Sequence, residues 1–276
     1  MSLVIPTRVA QMGAQEHLFA GYRLFAELLG HETMTGLFGL SVGLPRLSPE
    51  DISALDDLAA VNMLCDPRIW PMKLTRIAAS YGSALHGFCT GNLIHDNNFI
   101  GAGSCQKGAE LLQELMQRIG GPENIDDSSK VGAAVDAIVS RERWPGFGVP
   151  FRVTDERLDA YKIHLSTRER GQKPFWRLLL KAEEHLIQTR KTRANILGGI
   201  YSTMLDMGFE PAQCAWMLIL ILQGNFSATA FEGAQQASEM LQELPLEVVS
   251  YQGPAPRISP RARANQHEGD PHSPQL

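Results

Sequence analysis

The sequence predicts an all-α protein. Apolar residues recur at three-to-four spacing along most of the chain, alternating strand patterns are scarce, and only two internal stretches interrupt the helical periodicity. At 276 residues the chain has room for one large domain or two small ones.

Residues 1–20 read as an N-terminal arm. The opening segment MSLVIPTRVAQMG has no apolar core of signal-peptide type. The first clear helix is 50–64, with Ile52, Leu55, Leu58 and Ala59 on one face. Ser48-Pro49-Glu50-Asp51 supplies its N-cap, a proline and first-turn acids. Similar periodicity predicts helices over 70–94, 104–119, 128–141, 156–165, 173–192, 195–207, 211–223 and 226–244. The segment 246–251 (LEVVSY) is the one plausible strand. Residues 120–127 (GGPENIDD) form a polar turn, and 144–154 (WPGFGVPFRVT) hold two prolines and two glycines among aromatics. A structured loop of the second kind, set among helices, is a place where function concentrates. The tail 254–276 carries five prolines and almost no large apolar residue, so disorder is expected there.

Charge and composition exclude several classes. A formal charge of −5 argues against a nucleic-acid partner. Cys65, Cys89, Cys105 and Cys214 are too few and too scattered for a disulfide framework, and no CxxC pair or HExxH spacing suggests a metal. The most apolar run, 215–222 (AWMLILIL), is about half the length needed to span a bilayer. A reduced, cytoplasmic, soluble protein without a membrane partner is expected.

Residue types alone leave alternatives open. IGAGSC (100–105) lacks both GxGxxG and a GK[ST] ending, which excludes a phosphate loop. His86 lies in a helix rich in small residues and reads as a packed histidine. His95, ahead of Asp96, is balanced between a plain connection and the edge of a site. The run RKTR (190–193) is a solvated helix end or a grip on a phosphate. Cys105 reads as a small buried thiol rather than a nucleophile.

Several segments, in order, resemble the citrate synthase superfamily and especially its short citryl-CoA lyase-like members. Tyr22-Arg23 with GLPRLSPED (43–51) resembles YRG…GRLPT, and LTRIAASYGSAL (74–85) resembles RxxASTGSxL. PGFGVPFRVTDER (145–157) resembles the GFGHxxYxxxDPR loop. NILGGIYSTMLDMGF (195–209), GNFSATAFE (224–232) and SYQGPAPR (250–257) resemble NVDxxxGxxLxxLGI, PGWIAHxLE and LYxGPxPR. The resemblance implies a citrate synthase-like helical fold over 21–253, with a small domain near 105–200 inserted in a large one around a cleft. It also implies a homo-oligomer, dimeric or higher. In the family an acyl-CoA and an oxo-dicarboxylate meet in that cleft, which closes over the enol intermediate. The chemistry demands a carboxylate to remove the α-proton and neutral imidazoles to stabilise the enolate.

The chain departs from the family at those positions. Val149 stands at the GFGH histidine, Leu197 at the NVD carboxylate, and Ile100 or Gly101 at the SPLHGG histidine. Thr229 replaces the GWIAH histidine, Leu222 or Gln223 the arginine before it, and the RP arginine falls among 246–248. Arg157 matches the DPR arginine and offers a bidentate carboxylate grip, or is a surface arginine at a helix start.

From these matches, Asn98, Asp155 and Asn225 are the catalytic candidates: the asparagines donate to an enolate or carbonyl, and Asp155 replaces the missing base. Arg157, Arg152, Gln223 and Thr229 are substrate-binding candidates, while Arg190, Lys191 and Arg193 would hold a coenzyme A phosphate. No permanently bound cofactor or metal is expected; a coenzyme A thioester is the expected co-substrate. The expected function is a divergent enzyme that makes or breaks a carbon–carbon bond in an acyl thioester or related carboxylic acid. The alternatives are a catalytically silent citrate synthase-like binding or regulatory subunit and, more distantly, an unrelated helical interaction protein.

Overall fold

A computed structural model of the protein describes residues 5–96, 100–149, 154–168, 170–237, 247, 250 and 252–254. The chain divides into two units, Met1–Ser238 and Glu239–Leu276. Asn98, Arg152, most of the expected strand 246–251 and the tail beyond Pro254 lie outside the described residues.

The first unit opens with a small antiparallel sheet, β1 (Ala10–Met12), β2 (His17–Phe19) and β3 (Tyr22–Arg23), paired in that order. The expected arm thus contains strands, contrary to the reading that placed the one strand at 246–251. Strands of two or three residues are too short for alternation to show. Their signal is the turn: Phe19 pairs with Tyr22 across Ala20-Gly21, and both central residues have positive φ, as a tight hairpin of this hand requires.

Eleven α-helices follow among the described residues. They are α1 (Met34–Ser41), α2 (Pro49–Val61), α3 (Trp70–Tyr81), α4 (Ala84–His95), α5 (Ala102–Arg118), α6 (Ser128–Arg141), α7 (Glu156–Thr167), α8 (Pro174–Arg190), α9 (Ile196–Asp206), α10 (Pro211–Ile221) and α11 (Gln223–Gly233). Local capping sets many of the boundaries. Ser48 accepts from Asp51 N–H at 3.1 Å, Asp127 from Lys130 N–H at 3.0 Å and Asn195 from Leu197 N–H at 3.0 Å. The start of α8 is capped from a distance, because the Asp206 carboxylate accepts from Phe175 and Trp176 N–H.

The expected helix 70–94 is two helices. Gly82 ends α3, and the Ser83 hydroxyl caps α4 by accepting from His86 N–H. The His86 imidazole lies over Gly82, where a side chain would begin. The expected break between 223 and 226 narrows to a hinge at Leu222, and α11 ends at Gly233 instead of near 244. Helix α1 was not anticipated; its segment MTGLFGLS is mostly apolar on every face, so no stripe marks it.

The core sits where α5, α9 and α10 pack together, with Cys105, Ala109, Leu112, Leu115, Tyr201 and Met204 fully buried. Every residue of α9 from Gly198 to Leu205 is buried. Helix α5 packs against both α9 and α10, and α8 against α9. The α3, α4 and α11 group is tied by close approach at glycine, with Gly87 over Ala79 and Gly91 over Thr75 and Phe226. Among the described residues, Pro211–Gly233 has the length and apolarity of a membrane span. Its window is 56% buried within the protein, as in a core helix.

Candidate active site

A cavity of about 320 Å³ opens where six stretches of the chain meet. They are the α2–α3 connection, the α4–α5 turn, the loop after α6, the start of α7, the start of α9 and the α10–α11 hinge. Four of these stretches, the loop after α6, the start of α7, the start of α9 and the α10–α11 hinge, contain residues of the segments that carry the family resemblance.

The loop 145–149 is held against α9 by a dense set of bonds. Asn195 N–H donates to Gly146 O at 2.8 Å, the Asn195 amide to Gly148 O at 2.9 Å, and Gly148 N–H to Arg193 O at 2.8 Å. Tyr201 donates its hydroxyl proton to Pro145 O at 3.0 Å. Gly146 has φ +98°, and a β-carbon there would strike the Tyr201 ring. Val149 and Leu197 both stand in the cavity wall, and Ile100 lines it as well. On the α4–α5 side the glycine at 101 is again obligatory, since φ is +97° and a side chain would overlap the His95 carbonyl.

Asp155, expected as the replacement base, is engaged by structural donors. It caps α7, its carboxylate accepts from Arg157 Nε and Nη2 at 2.8 Å each, and Oδ2 also accepts from the Ile196 backbone N–H at 2.9 Å. Burial alone would raise its carboxyl. The Arg157 and Ile196 donors outweigh that and hold it below the ordinary aspartate range. A carboxylate so stabilised is a poor proton acceptor. Arg157 lines the cavity, with Asp155 as its partner.

Asn225 also lines the cavity, but its amide N–H donates to the Asn62 carbonyl, so that donor is taken by the backbone. Gln223 and Thr229 are absent from the lining. The Gln223 amide bonds to Asn92 and to Ile219 O, and the buried Thr229 hydroxyl faces Met72 Sδ at 3.5 Å. Arg190, Lys191 and Arg193 close the C-terminal end of α8 and likewise do not reach the cavity wall. Arg193 contributes its backbone carbonyl to the loop instead. Asn98 and Arg152 lie outside the described residues. Cys105 is wholly buried, and burial pushes its thiol far up, so it is no nucleophile.

Two groups in the wall carry chemistry that sequence reasoning undervalued. The His95 ring stacks edge-on to Phe226 at 5.5 Å, and burial pushes its imidazole below the ordinary value, with Asp96 partly opposing. The neutral imidazole is thereby favoured near pH 7. Arg143 is exposed and lines both this cavity and an adjoining polar recess bordered by Asp96, Ser104, Lys107 and Glu142. In the sequence His95 is balanced between a plain connection and the edge of a site, and Arg143 is one of several charges before Trp144. No group of three metal-ligating side chains occurs among the described residues.

No family model matches the sequence, and no curated protein matches it. Solved structures do match the fold. A citryl-CoA lyase from Hydrogenobacter thermophilus superposes with TM-score 0.77 at 17% identity, covering 95% of this chain and all of that one. An ATP citrate lyase from Methanothrix soehngenii, in complex with citrate and coenzyme A, superposes with TM-score 0.72 at 15% identity over 92% of this chain and 42% of that one. A citrate synthase from Thermotoga maritima gives 0.59 at 15% identity, covering 83% and 66%. The chain therefore has the mainly helical citrate synthase-like fold.

Proposed function

We propose that the cavity binds an acyl thioester or a related carboxylic acid and makes or breaks a carbon–carbon bond at the acyl α-carbon. The observation that supports this is the convergence of the resemblance-bearing segments on one cavity that keeps a neutral imidazole. The reading takes coenzyme A as the thiol, as in the solved ATP citrate lyase complex. His95 would take the α-proton, giving an enolate and an imidazolium. The enolate carbon then attacks the acceptor carbonyl, whose oxygen receives the proton from His95. Asp155 acts as a positioning residue through Arg157 and Ile196, and Arg157 and Asn225 remain in contact with the ligand. The cluster Arg190, Lys191 and Arg193 belongs to the coenzyme only as an outer electrostatic contact. No permanent cofactor is needed, and a cytoplasmic setting suits the free cysteines.

A second reading, a silent binding subunit, is favoured by the apolar residues Ile100, Val149 and Leu197 in the wall. One experiment separates the two. Calorimetry with coenzyme A and acyl-CoAs is expected to give micromolar affinity, about −8 kcal/mol. Exchange of the acyl α-protons in D₂O, followed by NMR, is expected with the native chain and lost in His95→Gln. Binding without exchange would favour the silent subunit. No binding of any thioester or carboxylic acid would remove both.

The expected homo-oligomer also enters as a proposal. Leu85, Cys89 and Leu93 recur at i, i+4, i+8 on the outer face of α4, and Leu85 and Leu93 are 69% and 78% exposed. The opposite face of the same helix buries Gly87 and Gly91. A helix apolar on both faces needs a second cover, and a second copy of the chain supplies one. Light scattering after gel filtration is expected to report a dimer or larger, and Leu85→Asp with Leu93→Asp a monomer. A native monomer at micromolar concentration would overturn this.

A further inference from the structure

Helix α4 is apolar on two sides, and its last residue, His95, lines the cavity. The inner face is closed by glycine: Gly87 lies over Ala79, and Gly91 over Thr75 and the ring of Phe226. The outer face repeats Leu85, Cys89 and Leu93 at i, i+4, i+8, with Leu85 69% and Leu93 78% exposed and Cys89 exposed between them. The helices packed on α4 add Trp70, Leu74 and Tyr81 of α3 and Phe231 of α11 as exposed large apolar side chains. With Leu85 and Leu93 these expose on the order of 700 Å², close to the ~800 Å² that each partner of a standard interface buries.

The outer stripe reads the same from either end, because leucine stands four residues before and four residues after Cys89. A second copy turned about a twofold axis at Cys89 therefore lays α4 antiparallel on α4. Leu85 then meets the partner's Leu93, and Cys89 meets its own counterpart. A twofold contact brings like charges together near its axis, and Ala84–His95 holds no Lys, Arg, Asp or Glu to oppose it. The contact also bears on the cavity. Gly91 packs on Phe226, and the Phe226 ring meets the His95 ring edge-on at 5.5 Å, so whatever fixes α4 fixes the imidazole. Resting on the homo-oligomer reading above, we propose that two copies of the chain pack α4 against α4 about a twofold axis at Cys89, and that this contact seats His95 in the cavity.

Oxidation of the full chain with diamide tests the geometry. Two Cys89 thiols join in one S–S bond, and diamide takes up their two protons and two electrons. A species of doubled mass is expected on a non-reducing gel, kept in Cys65→Ser and lost in Cys89→Ser; Cys105 and Cys214 are buried. Labelling with diethyl pyrocarbonate, read peptide by peptide by mass spectrometry, tests the seating. His95 is expected to react severalfold faster once the copies separate, while the exposed His164 on α7 keeps its rate. Separation is achieved by Leu85→Asp with Leu93→Asp and, with no substitution, by diluting the native chain. A dimer that forms no Cys89 disulfide would overturn this geometry and leave the homo-oligomer standing. A Cys89-linked dimer whose His95 reacts equally fast after separation would overturn the seating. A native monomer would remove the homo-oligomer and this proposal together; protection of its Cys89 from alkylation would show that another part of the chain covers α4.

Discussion

Asp155→Ala is expected to lower the stability of the protein by about 3 kcal/mol or more, measured by urea unfolding at pH 7. Three consequences act together. Helix α7 loses its N-cap, the half-buried Arg157 guanidinium loses its ion-pair partner, and the buried Ile196 N–H loses its acceptor. The substitution therefore releases the starts of α7 and α9 from one another, and both border the cavity. The pH dependence has a definite sign. The folded-state carboxyl is held below its unfolded value, so its contribution is fully present above the ordinary aspartate range near about 3.9. That contribution is lost as pH falls through the lower, folded value. The native and variant curves should converge in strong acid and stay apart at neutral pH. A parallel pair of curves, or a difference under about 1 kcal/mol at pH 7, would show that Asp155 is not the tie described.

Gly146→Val is expected to cost a comparable amount, about 3 kcal/mol, and to deform the cavity as well. The residue has φ +98°, a region that β-branched side chains avoid, and its β-carbon would lie 2.7 and 2.8 Å from two ring carbons of Tyr201. Tyr201 is fully buried and anchored to Pro145, so it has nowhere to move. Gly148 provides the control. Its φ is +93°, but no atom lies within 4 Å of where a β-carbon would stand, so Gly148→Ala should cost only the backbone strain, about 1–2 kcal/mol. Thermal unfolding of the two variants separates a packing clash from a conformational penalty. Equal destabilisation by both would mean that Tyr201 yields and that the loop is not rigidly seated on α9.

The cavity wall also explains why His95 and Asp155 exchange importance between sequence and structure. Asp155 is the one carboxylate in the glycine-rich loop, and in a linear reading a carboxylate near a missing base looks like its substitute. Whether it can accept a proton depends on the donors around it, and one of them, Ile196 N–H, is 41 residues away. His95 stays undecided in the sequence because its burial comes partly from Phe226, which is remote in the chain.

Local chemistry was legible without coordinates. The helical class, the cap at Ser48 and the break in 144–154 rest on interactions within a few residues, and a linear pattern displays them directly. The ordered segments pointed to the fold because they record helix-packing positions, which keep their spacing even as the chemistry changes. Strand pairs of two or three residues, the glycine-set break at Gly82 and the unstriped helix α1 left too little periodic signal. The electrostatic character of the cavity was decided by tertiary structure alone. A charge is free or cancelled, and an imidazole neutral or protonated, according to neighbours that folding brings within about 3–6 Å. Residue type sets what a group can do; burial and its long-range partners set what it does here.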